Sequence, residues 1–368
     1  MALDGNTLGL ALSGGGYRAA LFGLGSLWRL NETGLLGKLD RITSVSGGSI
    51  LMGILAHRWR QLHFGSGRAD NFEEIVAEPV RTFCGKTIDI PTGLIGMLTP
   101  FKTAGEFLAD RYEKELFGDV MVKDIPIANG NGNPKFIVYV TNMQTGRSFR
   151  FQQDMMADYM LGMSPATNVP LAVAIAASSA FPPIFSPVIL RTDPTTWTGG
   201  SKLSNLDLLR KRIVLADGGI YDNMGLESLV DNVDIALVSD AGAPFEVDEN
   251  PAEDDIFQWR RVHDILTDQT RALRKRWLIA EFEAGRKRGA YWGIGTSINA
   301  YNSTHRMTSD SAFSDSLERV PTRLSSFAPD RQGHLINWGY ALCDVSLRAR
   351  IGLKIPPPAS WPVPEWPL

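Results

Sequence analysis

Cysteine is almost missing from this chain: Cys84 and Cys343 are the only two in 368 residues. Two thiols so far apart build neither a disulfide framework nor a zinc site, which points to a reducing compartment. Long apolar runs are missing too. No stretch approaches the ~20 residues of a membrane span. Met1-Ala2-Leu3-Asp4-Gly5-Asn6 has neither the basic nor the apolar segment of a secretory signal. Charge of one sign is also scarce. The formal net charge is −3, so no global basic field recruits nucleic acid polymers or anionic membranes. No calcium-ligand spacing occurs, and neither a metal nor an organic cofactor is expected. These absences describe a cytoplasmic protein that meets any lipid from the water side, at the inner face of the membrane.

What is present is ordinary globular composition, 44% hydrophobic and 21% charged, enough for a large core. Thr7 to Ser13 alternates Leu8, Leu10 and Leu12 with small residues, a short buried strand. Leu21, Leu24, Leu27 and Leu30 then recur at threefold spacing, an amphipathic helix ending before Gly34. Residues 39–60 repeat this plan, with Ile50, Leu51, Ile54 and Leu55 as the helical face. Phe136 to Val140, Ile213 to Ala216 and Ile235 to Ser239 read as further apolar strands. Such alternation predicts an α/β fold, a mainly parallel central sheet sandwiched by helices in three layers. Residues 191–210 read as a loop, and Asp254 to about Gly289 as a long helix with Val262, Ile265, Leu266 and Leu273 on one face. Leu335, Trp338, Leu342 and Val345 suggest a closing helix. No linker divides the chain. Residues 1–355 are therefore expected to form a single domain with a helical C-terminal region from about 250, followed by a Pro- and Trp-rich tail at 356–368.

Three segments carry chemistry. Arg41-Ile42-Thr43-Ser44-Val45 is a β-leaning run that stops at Ser46-Gly47-Gly48-Ser49, after which a helical pattern begins at once. A serine on such a tight turn presents its hydroxyl above a helix N-terminus, as in a nucleophile elbow. The bland alternative is an N-cap serine after a buried strand. Ser44 stands where the usual G-x-S-x-G pattern has glycine. The second segment, Ser13-Gly14-Gly15-Gly16-Tyr17-Arg18, lets successive amides point into one concavity at a helix N-terminus, a site for an anion. A dinucleotide fingerprint lacks its acidic residue, and a P-loop lacks its Gly-Lys-Ser/Thr. An oxyanion hole is favoured once Ser46 is admitted as nucleophile, with Arg18 adding charge or pairing structurally. Third, Asp217-Gly218-Gly219 places a carboxylate at the end of a strand expected to be parallel, with Asp222-Asn223 beyond it. An Asp-Gly turn capped by its own side chain is the competing reading. Asp240 is a rival carboxylate.

Gly14-Gly15-Gly16-Tyr17-Arg18, Ser46-Gly47-Gly48 and Asp217-Gly218-Gly219, in this order, resemble the patatin-like phospholipase family. Ala177-Ser178-Ser179-Ala180-Phe181-Pro182-Pro183-Ile184-Phe185 is similar to the family's A-x-S-A-x-P-x-x-F stretch, and Thr141-Asn142 to its A-T-N strand end. The likeness spans about residues 8–226, and Gly-Gly-Gly-Tyr-Arg-Ala leans toward cytosolic phospholipases of the A2 type. The resemblance implies a patatin-like three-layer architecture and a Ser–Asp dyad. By position, Ser46 would form an acyl-enzyme, Asp217 would shuttle the proton, and the Gly14, Gly15 and Gly16 amides would hold the oxyanion. Arg18, Gly47, Gly48, Gly218 and Gly219 would support them. Membrane phospholipids, met peripherally, would be the substrate.

Other readings stay open. An α/β-hydrolase triad would add His263, His305 or His334 to Ser46 and Asp217. A non-catalytic module would hold a lipid or anion on the Gly14–Gly16 nest. Leu94 to Phe101 is a candidate membrane-touching flap, and Met155, Met156, Met160 and Met163 a candidate acyl-channel lining. The basic runs Arg271, Arg274, Lys275, Arg276 and Arg286, Lys287, Arg288 read as a solvated face or as an anion site. The family likeness extends the second option to an antiphage effector activated by a cyclic nucleotide, and a homo-oligomer falls within the same expectation.

Overall fold

The computed structural model describes residues 5–65, 67–88, 102–128, 132–166, 168–251, 254–303 and 305–368. β1 (Leu8–Leu12) leads into α1 (Gly16–Glu32), and β2 (Arg41–Val45) into α2 (Gly47–Arg58). The long β3 (Lys135–Asn142) is followed by three short strands, β4 (Arg147–Gln152), β5 (Met156–Asp158) and β6 (Gly162–Ser164). Then come α3 (Leu171–Ser179), β7 (Val188–Arg191), β8 (Arg212–Asp217) and β9 (Ile235–Asp240). The elements used below end with α4 (Asp255–Glu283), β10 (Arg288–Gly293) and α5 (Pro329–Ser346).

The centre of the sheet is parallel in the order β10–β9–β1–β2–β3, and β4, β5 and β6 extend it antiparallel. The alternation in β1 decides its two faces. Leu8, Leu10 and Leu12 join the main core with α1, α2 and α5, while Ala11 faces a second core built with Ala236, Val238, Leu229 and Leu278 of α4. This is the three-layer α/β fold that the sequence predicts.

Several expectations need correction. The strand carrying Asp217 is not parallel. β8 runs antiparallel to both β3 and β7. Because β4 occupies the other edge of β3, β8 lies on the β2 side, taking over the edge where β2 stops. The two strands thus meet end to end: Val45 pairs with Tyr139, and Asp217 with the next residue, Val140. The long helix ends at Glu283, not near Gly289. Gly285 takes φ +68, and the chain turns into β10, which pairs with Ile235–Asp240. Residues 191–210 are not all loop, since Leu206–Lys211 is a short helix. The methionines sit at or near the β4–β6 edge and line no part of the cavity described below. The candidate flap at Leu94 to Phe101 lies outside the described residues. The tail has no regular structure but is docked. Val363 is buried, and Asn337 Nδ2 donates to the carbonyls of Val363 at 2.9 Å and Trp366 at 2.7 Å.

Helices α1 and α5 pack so closely that a Cβ at Gly25 would collide with the Ile336 carbonyl, and one at Gly339 with the Phe22 carbonyl. Arg29 and Asp344 pair across this contact at 2.8 Å, both buried. Helix propensity alone says that Gly339→Ala gains up to about 1 kcal/mol. The backbone contact reverses that sign. Thermal unfolding of Gly339→Ala is expected to show a lower midpoint, a loss of about 1–3 kcal/mol from overpacking.

Candidate active site

Among the described residues Ser46 is the single non-glycine with positive φ, at φ 50 and ψ −119. This strand-to-helix turn holds on the order of 1–3 kcal/mol of backbone strain, and its neighbours hold it in place. A Cβ at Gly47 would strike the Gly16 carbonyl, so only glycine lets the two strand–helix turns touch. The Ser46 amide donates to Ser178 Oγ at 3.0 Å, and Ser178 Oγ donates to the Tyr139 carbonyl at 2.7 Å. Ser49 Oγ lies 2.8 Å from Ser178 Oγ, and Ser44 Oγ 2.9 Å from Ser49 Oγ. The departure at Ser44 is thus a buried member of a hydroxyl chain beneath the elbow.

The segment after α3 also fixes Asp217. The Asp217 amide donates to the Ala180 carbonyl at 3.0 Å, and the Gly218 amide to the Ser178 carbonyl at 3.1 Å. Thr141 Oγ1 donates to the Asp217 carbonyl at 2.8 Å. The Asp217 side chain is 2% exposed and accepts from the Gly219 amide at 2.7 Å. Burial pushes its pKa up to about 7, with the Gly219 amide and the Ser46 hydroxyl pulling the other way. Asp240 is a different kind of carboxylate. Burial pushes its pKa up, yet Arg271 at 3.2 Å, the Gly242 amide and the Tyr291 hydroxyl hold it below the ordinary value. That pairing leaves it no capacity as a base.

The glycine loop is only partly free. Gly14 donates its amide to the Asn223 carbonyl at 2.9 Å, and Tyr17 to the Arg323 carbonyl at 3.1 Å. Gly15 and Gly16, at φ +139 and +58, are buried. Among the described residues their amides meet no acceptor in the fold. Arg18 is buried, donating from Nε to the Ala241 carbonyl at 2.9 Å and from Nη1 to that of Val320, while its Nη2 has no partner. Burial first, then Arg271, lowers its pKa to about 10, so it remains cationic at neutral pH.

These groups share one cavity of about 480 Å³. Ser46, Asp217, Gly15 and Gly16 line it together with Phe181, Ile184, Phe185, Phe245 and Leu324, and with Arg18, Arg261, Arg271 and Arg323. His263 lines it as well, but its ring packs edge-on against Phe181 at 5.5 Å, and no hydrogen bond joins it to Ser46 or Asp217 among the described residues. His334 stacks against Phe313, and His305 lies outside the cavity. The basic runs are largely neutralised: Arg271 meets Asp240, Arg274 meets Asp222 at 3.8 Å, Arg286 meets Glu281 at 2.8 Å and Lys287 meets Asp231 at 3.2 Å. Among the described residues no group of three or more His, Cys, Asp or Glu could hold a metal. No described helix is long and apolar enough to cross a membrane. Sequence reading missed the work of Ser178 and Asn223. The Ala177–Phe185 stretch signalled the first, and nothing local signalled the second.

A family model described as patatin-like phospholipase matches residues 10–230. Human GIVD cytosolic phospholipase A2 is similar over 94% of this chain and 59% of its own, at 13% identity and TM-score 0.54. The same human enzyme in complex with methyl gamma-linolenyl fluorophosphonate is similar over 93% of this chain and 57% of its own, at 14% identity and TM-score 0.50. VipD from Legionella pneumophila is similar over 94% of this chain and 67% of its own, at 15% identity and TM-score 0.40. At such identities the likeness to the human enzyme is one of fold, and this chain spans about three fifths of that enzyme's length. No curated protein matches the sequence.

Two outcomes follow from the site's energetics. Ser178→Ala, which leaves the Ser46 amide without its acceptor, is expected to cost about 1–3 kcal/mol in thermal or chemical unfolding. Asp217→Asn is expected to stabilise the fold at pH 8. A carboxyl whose folded pKa is raised from 3.8 to about 7 contributes stability at low pH that is lost as pH rises to about 7. The midpoint difference between Asp217→Asn and wild type should therefore be near zero at pH 3.5, grow up to about pH 7 and then level off. A constant difference across this range would contradict the burial argument.

Proposed function

The chain belongs to the patatin-like phospholipase family, and from that membership we propose that it is a serine acyl hydrolase cleaving acyl esters of membrane phospholipids. The observation that carries the reading is a strained serine beside a buried carboxyl of pKa about 7 in one cavity. An ordinary carboxylate is too weak a base for an alcohol, and burial corrects that weakness. Asp217 takes the Ser46 proton as Oγ attacks the ester carbonyl. The oxyanion is held by the free amides of Gly15 and Gly16, with Gly14 excluded by its bond to Asn223. Protonated Asp217 returns its proton to the leaving alkoxide, giving lysolipid and an acyl-enzyme. Asp217 next deprotonates water for attack on the acyl-enzyme and passes that proton to Ser46 Oγ as the fatty acid leaves. Phe181, Ile184, Phe185 and Phe245 offer the acyl chain an apolar wall, and Arg18 adds positive charge beside the loop.

A triad through His263 lacks the base–serine hydrogen bond it requires, so the dyad is preferred. The binding-module reading is separated by labelling. Intact-mass analysis after a fluorophosphonate probe is expected to show one adduct, absent in Ser46→Ala and slowed at least about 100-fold in Asp217→Asn. No adduct on folded wild type would leave only the binding module. For a soluble ester, kcat/KM should rise about tenfold per pH unit below pH 7 and level above it, because the base must be ionised.

A further inference from the structure

Helix α4 uses one face at the cavity and leaves the other bare. Asp264, Thr267, Asp268 and Arg271 line the cavity. On the opposite side Trp259, Val262, Ile265, Leu266, Leu273 and Trp277 are exposed, Trp259 by 74% and Leu266 by 56%. Steps of three, four and seven keep these residues on one stripe, roughly 27 Å from Trp259 to Trp277 at 1.5 Å per residue. Exposed Gln269 and Thr270 interrupt the stripe between Leu266 and Leu273, yet a soluble surface rarely leaves so many large apolar side chains on one helix face without a partner.

Three features choose the partner. The stripe carries no carboxylate, because Asp264 and Asp268 fall on the cavity side of the helix, where Asp264 stays exposed, while Arg276 is exposed between Leu273 and Trp277. Tryptophan stands at both ends, the residue that favours the headgroup level of a bilayer. The cavity mouth on the helix's other side is itself apolar in part, where exposed Phe181 packs on His263 at 5.5 Å and Phe245 stacks on Arg261 at 4.2 Å.

We propose that α4 is the docking element for a phospholipid surface containing anionic lipid. It lies in the interface plane with its stripe at headgroup depth. This rests on the lipid-hydrolase reading for its purpose, but docking is measurable without catalysis.

The test uses the full chain, as Ser46→Ala, with and without the paired changes Leu266→Asp and Leu273→Asp. Sedimentation with vesicles of phosphatidylcholine and phosphatidylglycerol, three to one, is expected to show binding that the paired changes weaken about tenfold or more. In the active chain the same changes should cut hydrolysis of vesicle lipid equally, with cleavage of a short soluble ester unchanged. Docking is overturned if the Ser46→Ala chain does not sediment with vesicles, or if the paired variant still does. Loss of soluble-ester cleavage in the paired variant would instead assign the stripe a structural role. A changed mass in light scattering would assign it to a second copy of this chain. Vesicle binding without cleavage of any ester would leave docking standing and remove the hydrolase reading.

Discussion

Two strands end against each other along one edge of a third, and the candidate site depends on that arrangement. β2 arrives from below and stops at Val45, while β8 arrives from above and stops at Asp217, beside consecutive residues of β3. A strand end has nowhere to continue when another occupies its path, so each chain must turn out of the sheet. Ser46 makes its turn in left-handed backbone, and Gly218 and Gly219 make the other. The serine and the carboxyl are neighbours because the sheet forces both exits at one place. The C-terminal end of α3, from Ser178 to Ala180, then binds the backbone on both sides of the junction, so neither turn shifts alone.

Burial and the course of the backbone act together there. Burial raises the Asp217 pKa to about 7, while the Gly15 and Gly16 amides, turned toward the cavity, meet no acceptor among the described residues. Asp240 shows the contrast within one fold. It is equally buried, but Arg271, Tyr291 and an amide satisfy it, and its pKa falls. Burial sets the scale of the effect, and the partners decide its direction.

The parts legible in the sequence are those with local causes. Gly14–Gly16 and Ser46–Gly48 announce tight turns through residue type alone, and Leu8, Leu10 and Leu12 announce a strand through alternation. The antiparallel course of β8 is not local, since it depends on which edge of β3 is free. β10 was hidden because Arg286, Lys287 and Arg288 prolong the charge pattern of α4, while its pairing with β9 is a long-range fact. Val262, Ile265, Leu266 and Leu273 read as one face of a helix and no more, because periodicity reports that a stripe exists, not what covers it. The bond of the Gly14 amide is non-local in the same way: its partner, Asn223, lies over two hundred positions away.

The glycine loop is anchored from far down the chain, through Tyr17 to Arg323 and Arg18 to Val320, and α1 is covered by α5. The ribosome makes the loop long before its anchors. A nascent chain that has emerged only through Asp217 already carries serine and carboxyl, but the amides beside them have no scaffold to aim them. Completion of the site is thereby coupled to completion of translation through at least α5. A fragment released early would be an incompetent protein with an uncovered α1.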